Sequence, residues 1–223
     1  MQTATDNAAS AELSPNGGSG VDGDTPPNLR SALGLVALMH LYGIGWTIAL
    51  RMALFCPTVA PHIGKHRDEW ERALESARGE MELCREAGVA VVSIFDKAYP
   101  ERLRALPYPP PVLYVQGEAG LLNRARTVVL TGAAEQTPSG TAATERIATV
   151  LAQGDWTLAS SMTLGVEASA RKSAHAVNAA TVALVGWGLK APVSAGGCRT
   201  NPPLFGPFAP RKWAMPQNFL TCD

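Results

Sequence analysis

An excess of charge of either sign is missing from this sequence: 19 basic residues are balanced by 19 acidic ones, and the formal net charge is zero. That balance excludes a polybasic chain held to nucleic acid by bulk charge, and confines any polyanion binding to a local patch. Cysteine is sparse. Cys56, Cys84, Cys198 and Cys222 form no C-x-x-C unit and have no histidine at metal-ligand spacing. The sequence therefore predicts free thiols in a reducing compartment and no metal site, and at 223 residues a core needs no disulfides. The first thirty residues hold Asp6, Glu12, Asp22 and Asp24 but only Arg30 as a cation. A secretory leader needs a basic start and then an apolar run, so a cytoplasmic protein is expected. Ala32 to Leu50 carries no formal charge, yet His40 lies mid-run and Gly34, Gly43 and Gly45 interrupt it. A membrane span needs about 20 apolar residues, so this stretch predicts a buried helical hairpin turning at Gly43-Ile44-Gly45 instead. The P-loop pattern G-x-x-x-x-G-K-[ST], the dinucleotide fingerprint G-x-G-x-x-G and the metalloprotease pattern H-E-x-x-H are all absent.

What is present is a chain 46% hydrophobic, too apolar to be disordered throughout. Residues 1–29 are rich in Asn, Asp, Ser, Gly and Pro and predict a flexible tail. A helix is expected from about Arg67 to Ala87, with Trp70, Ala73, Leu74, Ala77, Met81 and Cys84 in one stripe and Gly88 as its cap. The period then changes. Val89 to Phe95 and Val112 to Val115 predict strands, separated by a turn at Tyr99-Pro100, a short helix to Leu106 and the stiff Pro109-Pro110-Pro111. Further on, strands at Thr127–Leu130, Trp156–Ala159 and Thr181–Val185 alternate with helices at Thr141–Gln153 and Val166–Asn178. In the first of these helices Ile147, Val150 and Leu151 are expected inward. Such alternation predicts an α/β fold whose parallel sheet is covered by helices on both faces. From Ala191 onward the chain is rich in Pro and Gly, shows no confident helix, and is basic through Arg199, Arg211 and Lys212.

Ligands of such sheets bind at the carboxyl ends of the strands. Here those ends are the loops at Gly132–Gly140, Ser160–Gly165 and Gly186–Gly188. The loop TGAAEQTPSG aims backbone N–H groups at whatever lies above a helix start, with Ser139 and Thr141 as candidate caps, which favours phosphate or carboxylate. SSMTLGVEASARKSAH adds hydroxyls at Ser160, Ser161 and Thr163 and cations at Arg171 and Lys172. Ordinary capped turns and a solvated basic face are the structural alternatives. Glu167 reads most simply as a charge favourable to the helix dipole, and Glu135 with Glu167 is the one candidate carboxylate pair.

The order of these segments resembles the DNA-processing protein family DprA, also called Smf. The segments are Gly43-Ile44-Gly45, then Tyr99-Pro100 with Leu103, PPPVLYVQG, TGAAEQTPSG, SSMTLGVEASAR, TVALVGWGL and FAPRK, running from about residue 33 to 212. The resemblance implies an extended Rossmann-like domain at 89–190, preceded by a small helical domain of SAM or helix-hairpin-helix type at 30–88 and followed by a Pro/Gly-rich basic segment at 191–223. It implies a non-enzymatic protein without cofactor that binds single-stranded DNA, protects it during uptake and helps load a RecA-type recombinase, usually as a dimer. In that reading Gly132, Ser139 and Gly140 hold one phosphate, Ser160, Gly165, Arg171 and Lys172 hold another, and Arg211 and Lys212 clamp the strand. Departures stand at Ala134, where the family has arginine, and at Ser161, Glu167, Arg171 and Lys212. Two rivals accompany it. One is a phosphoribohydrolase of the Lonely-guy type, whose P-G-G-x-G-T-x-x-E run is absent. The other is a degenerate member that binds no ligand.

Overall fold

The computed structural model describes residues 28–41, 44–56, 67–161, 164–185 and 218–222, the last as backbone only. The uncharged run folds as two short helices, α1 (Ala32–His40) and α2 (Trp46–Phe55). No helix among the described residues is long and apolar enough to cross a membrane. The Ser31 hydroxyl starts α1 by accepting the Gly34 N–H at 3.0 Å, an N-cap worth about 1 kcal/mol. Helix α3 (Arg67–Glu86) carries Asp68 and Glu69 in its first turn and Arg85 in its last, each favourable to its dipole. It buries Trp70, Ala73, Leu74, Ala77 and Cys84, as the stripe predicts, with Met81 half-buried. Gly88 ends it at φ +65°, a conformation that glycine adopts without penalty.

The strands are β1 (Val89–Ser93), β2 (Val112–Gln116), β3 (Thr127–Val129), β4 (Thr157–Ser160), β5 (Thr181–Val185) and β6 (Asn218–Cys222). They form one sheet in the order β1-β2-β6-β5-β4-β3. The expected parallel unit is β3, β4 and β5, with Val128 opposite Leu158 and Ala159 opposite Val182. The sheet as a whole is mixed, because β1 pairs antiparallel with β2 and β6 pairs antiparallel with β5. Strand β6 falls in the segment where the sequence shows no element. It joins the two halves, running parallel to β2 on its other side.

Helices α5 (Pro138–Gln153) and α6 (Val166–Ala176) make the two crossovers from β3 to β4 and from β4 to β5, and α4 (Glu101–Arg104) lies between β1 and β2. Both crossovers step the same way across the sheet, so right-handed connection puts α5 and α6 side by side on one face. There Ala148, Ala152, Ala170 and Ala174 close on Leu158, with Val128 beside it. The alternate residues Ala159 and Val182 belong to a larger cluster that includes Leu35, Leu38, Leu113 and Val115. Helix α5 corrects one expectation. Its buried side is Thr144, Ala148 and Ala152, at four-residue spacing, while Ile147 is 49% and Val150 63% exposed. Close contact with α6 and the sheet leaves room for alanine, not for branched side chains. Leu151 is half-buried against that cluster, as expected.

Candidate nucleic-acid interface

The ends of β3, β4 and β5 open on one edge of the sheet, and the loops after β3 and β4 meet there. Helix α5 begins three residues earlier than the sequence suggests. Pro138 takes the first helical position and Thr137, not Ser139 or Thr141, is the N-cap: its Oγ1 accepts the Gly140 N–H at 3.2 Å. Proline at that position has no N–H to leave unsatisfied, which favours this start. The Ser139 hydroxyl pairs with that of Thr137 at 3.1 Å. Two of the predicted phosphate donors, Ser139 and Gly140, are thus engaged with Thr137.

The second loop is stitched to the first. Gly165 caps α6 at φ +75°, and a Cβ there would collide with the carbonyl oxygens of Ala133 and Ala134. The Val166 N–H donates to Ala133 O at 3.3 Å, so the start of α6 carries a carbonyl. Gly132 is needed for the same contact, because a Cβ would lie 2.8 Å from Val166 Cγ2. Glu167 is 7% exposed and receives the Ser161 N–H and hydroxyl, each at 2.7 Å, and the Thr131 hydroxyl at 3.1 Å. The carboxylate therefore occupies the donors at the ends of β3 and β4. Glu135 is exposed in the first loop.

One turn along α6 from Glu167, Arg171 is also buried, at 8% exposure. Its Nη1 donates to Ser160 Oγ at 3.3 Å, and its Nε has no partner among the described residues. Burial holds the guanidinium below its ordinary pKa, and the Glu167 charge opposes that shift. Gln136 is the second such group. Its Oε1 accepts from Thr141 at 2.8 Å and from Ser169 at 3.3 Å, while its buried Nε2 has no partner among the described residues. Lys172 is exposed, about 100° around the helix from Arg171, so the two expected partners diverge. Arg211 and Lys212 lie outside the described residues.

The structure thus brings Gly132, Ser160, Gly165 and Arg171 together and leaves Lys172 to solvent. Sequence reasoning misses Thr131, Gln136 and Thr137. The threonine before Pro138 is the one legible signal, since a hydroxyl residue ahead of a proline marks a helix start. The arrangement offers buried, positively polarised donors at a strand edge, which suits anion binding. A shallow groove of about 580 Å³, lined by Glu118, Gly120, Leu121, Arg124, Asn178 and Ala180, lies at the opposite edge.

Residues 90–196 match the model of the family described as DNA recombination-mediator protein A. Protein Smf of a Synechocystis strain is 33% identical over 97 residues, covering 42% of this chain and 24% of that protein. DNA processing protein DprA of Bacillus subtilis is 23% identical over 106 residues, covering 48% of this chain and 36% of that one. The chain thus spans about a quarter to a third of the length of these curated relatives. The crystal structure of DNA processing protein A from Streptococcus pneumoniae superposes with a TM-score of 0.54 at 15% identity, over 72% of this chain and 59% of that one, which shows a shared fold. Residues 90–196, just under half of the chain, are thus similar to the DprA/Smf family of DNA recombination-mediator proteins.

Proposed function

We propose that this chain binds single-stranded DNA without strong sequence preference, as a binding protein and not a catalyst, and acts with a RecA-type recombinase in the cytoplasm, as a homodimer. The observation that carries the reading is the Arg171 guanidinium. It is buried at the strand edge with an Nε that no described residue satisfies, and a buried cation of this kind is costly unless an anion completes its bonding. Gln136 Nε2 offers a second donor on the same edge, and Lys172 adds charge at the surface. Arg211 and Lys212 stand as the proposed clamp. Phosphate contacts of this kind position a strand without reading its bases.

The hydrolase alternative gains nothing from the site. Glu167 spends its oxygens on Ser161 and Thr131, and Glu135 is exposed. The non-binding alternative rests on Ala134 and on the loop donors already satisfied internally. The test is fluorescence anisotropy of a labelled oligo-dT against the full chain. Arg171→Ala is expected to weaken binding about tenfold or more, as a charged hydrogen bond of about 1.5–3 kcal/mol requires, and Lys172→Ala by less. Melting temperatures separate lost binding from lost folding. Unchanged affinity in both variants sinks the site assignment.

A further inference from the structure

We infer that Tyr108 is a stacking platform for one base of a single-stranded DNA laid along the edge that carries Arg171. This inference rests on the proposed binding of single strands. Scattered exposed apolar side chains are ordinary; Tyr108 differs in its mounting, its neighbours and its position. It is 72% exposed, two residues from Leu106 at 46%. Pro109, Pro110 and Pro111 follow it and are buried, and the fully buried Tyr99 fastens them by donating its hydroxyl to Pro110 O at 2.7 Å. A residue before proline is confined to extended conformations, so the ring stands on a backbone with little freedom left to lose on binding.

Cations flank the ring in sequence: Lys97, Arg102 and Arg104 are exposed on the preceding turn and on α4. The Arg104 guanidinium is pinned by Ile94 O at 3.1 Å and Asp96 O at 2.7 Å, and Arg102 donates to Ala125 O at 3.0 Å. The Asp96 carboxylate is turned inward to the Ser93 N–H at 2.7 Å. Exposed Glu101 is the remaining acid of this segment.

The register supplies the position. Val185, the last residue of β5, lies opposite Asn218, and Asn218 lies opposite Tyr114. Strand β2 therefore begins where β5 ends, and the 105–111 segment leaves the sheet at the same edge as the loops after β3 and β4. Laterally, β2 is three strands from β4, roughly 14 Å at the usual spacing. Single-strand sites cover about 4–16 nucleotides, which spans that gap. A rigid ring in a segment that carries exposed cations suits a base above any sugar or phosphate, because every base offers a π face whatever the sequence.

The test is oligo-dT anisotropy with the full chain carrying Tyr108→Ala or Tyr108→Phe, with Arg171→Ala in parallel. Tyr108→Ala is expected to weaken binding about 5- to 150-fold, the range for loss of one stacked base. Tyr108→Phe keeps the face and is expected to bind as the unaltered chain does. Both are expected to melt normally, since the ring is exposed. A 5-iodouracil oligonucleotide is expected to photocrosslink to the peptide containing Tyr108. If the unaltered chain binds, Arg171→Ala weakens it and Tyr108→Ala does not, the platform is wrong and the proposed function stands. If Tyr108→Phe weakens binding as much as Tyr108→Ala, the hydroxyl and not the face is the contact, and stacking is overturned. If the unaltered chain binds no strand at low salt, both fall together.

Discussion

Cys84 and Tyr114 carry a titration with a definite sign. Both sit against Glu80, whose carboxylate accepts the Tyr114 hydroxyl and pairs with His40 at 2.8 Å, tying α1, α3 and β2 together. Burial first, and then the Glu80 charge, push the Cys84 thiol from 9.0 up to about 12. Burial likewise raises Tyr114 and Tyr99. The folded chain therefore holds protons that the unfolded chain has released. The Cys84 contribution is fully present below pH 9 and is lost as pH rises toward 12, while those of Tyr114 and Tyr99 begin to fall only above pH 10, each at up to about 1.4 kcal/mol per pH unit. Denaturant midpoints are expected to show this fall, and Cys84→Ala to make it shallower; an unchanged slope in that variant removes Cys84 from the explanation. Burial of Cys84 is legible in the sequence, because it continues the stripe of Trp70 and Ala77 at helical spacing. Its electrostatic partners are not legible, since Tyr114 and His40 reach Glu80 from 34 and 40 residues away. Glu167 shows the same limit. Its position near a helix start reads as a dipole charge, but its bonds to Thr131 and Ser161 depend on two strands ending side by side.

At the scale of the element, α5 separates pattern from packing. Its apolar residues suggest an inward stripe through Ile147 and Val150, yet alanines and Thr144 make the buried side. Periodicity locates a helix well, but the face it buries depends on how close its neighbours come, and α6 comes close enough to select small residues. Ala148→Leu is accordingly expected to cost about 1–3 kcal/mol by overpacking, and Ile147→Glu to stay within about 0.5 kcal/mol. Chemical denaturation of the two variants checks this, and the reverse ranking contradicts the assigned face. The loops were harder to read than the elements they join. Thr137 as cap and Gln136 as a bridge to Ser169 follow from a helix start at Pro138, whereas Ser139, Gly140 and Thr141 after it suggest a start one turn further along.

For the whole molecule, the parallel unit from β3 to β5 is local, with each strand one helix from the next, and alternation alone reveals it. Strand β6 is not local. It pairs with β5 across more than thirty residues of Pro- and Gly-rich chain, and nothing in Asn218–Cys222 announces a strand between β2 and β5. That insertion matters for the proposed function, because it sets β2 antiparallel to β5 and so turns the start of β2 toward the strand ends. Arg171, Gln136 and Tyr108 thereby share an edge although they belong to distant parts of the sequence. A neutral chain that binds a polyanion has to do so through such a gathering, not through its overall charge. The most direct measurement is anisotropy of labelled oligo-dT at low and moderate salt, with a duplex of equal length beside it. Preference for the single strand is expected, with log affinity falling linearly in log salt at a slope of about −0.7 per phosphate contact. Absence of binding at low salt, or equal and salt-insensitive binding of the duplex, contradicts it.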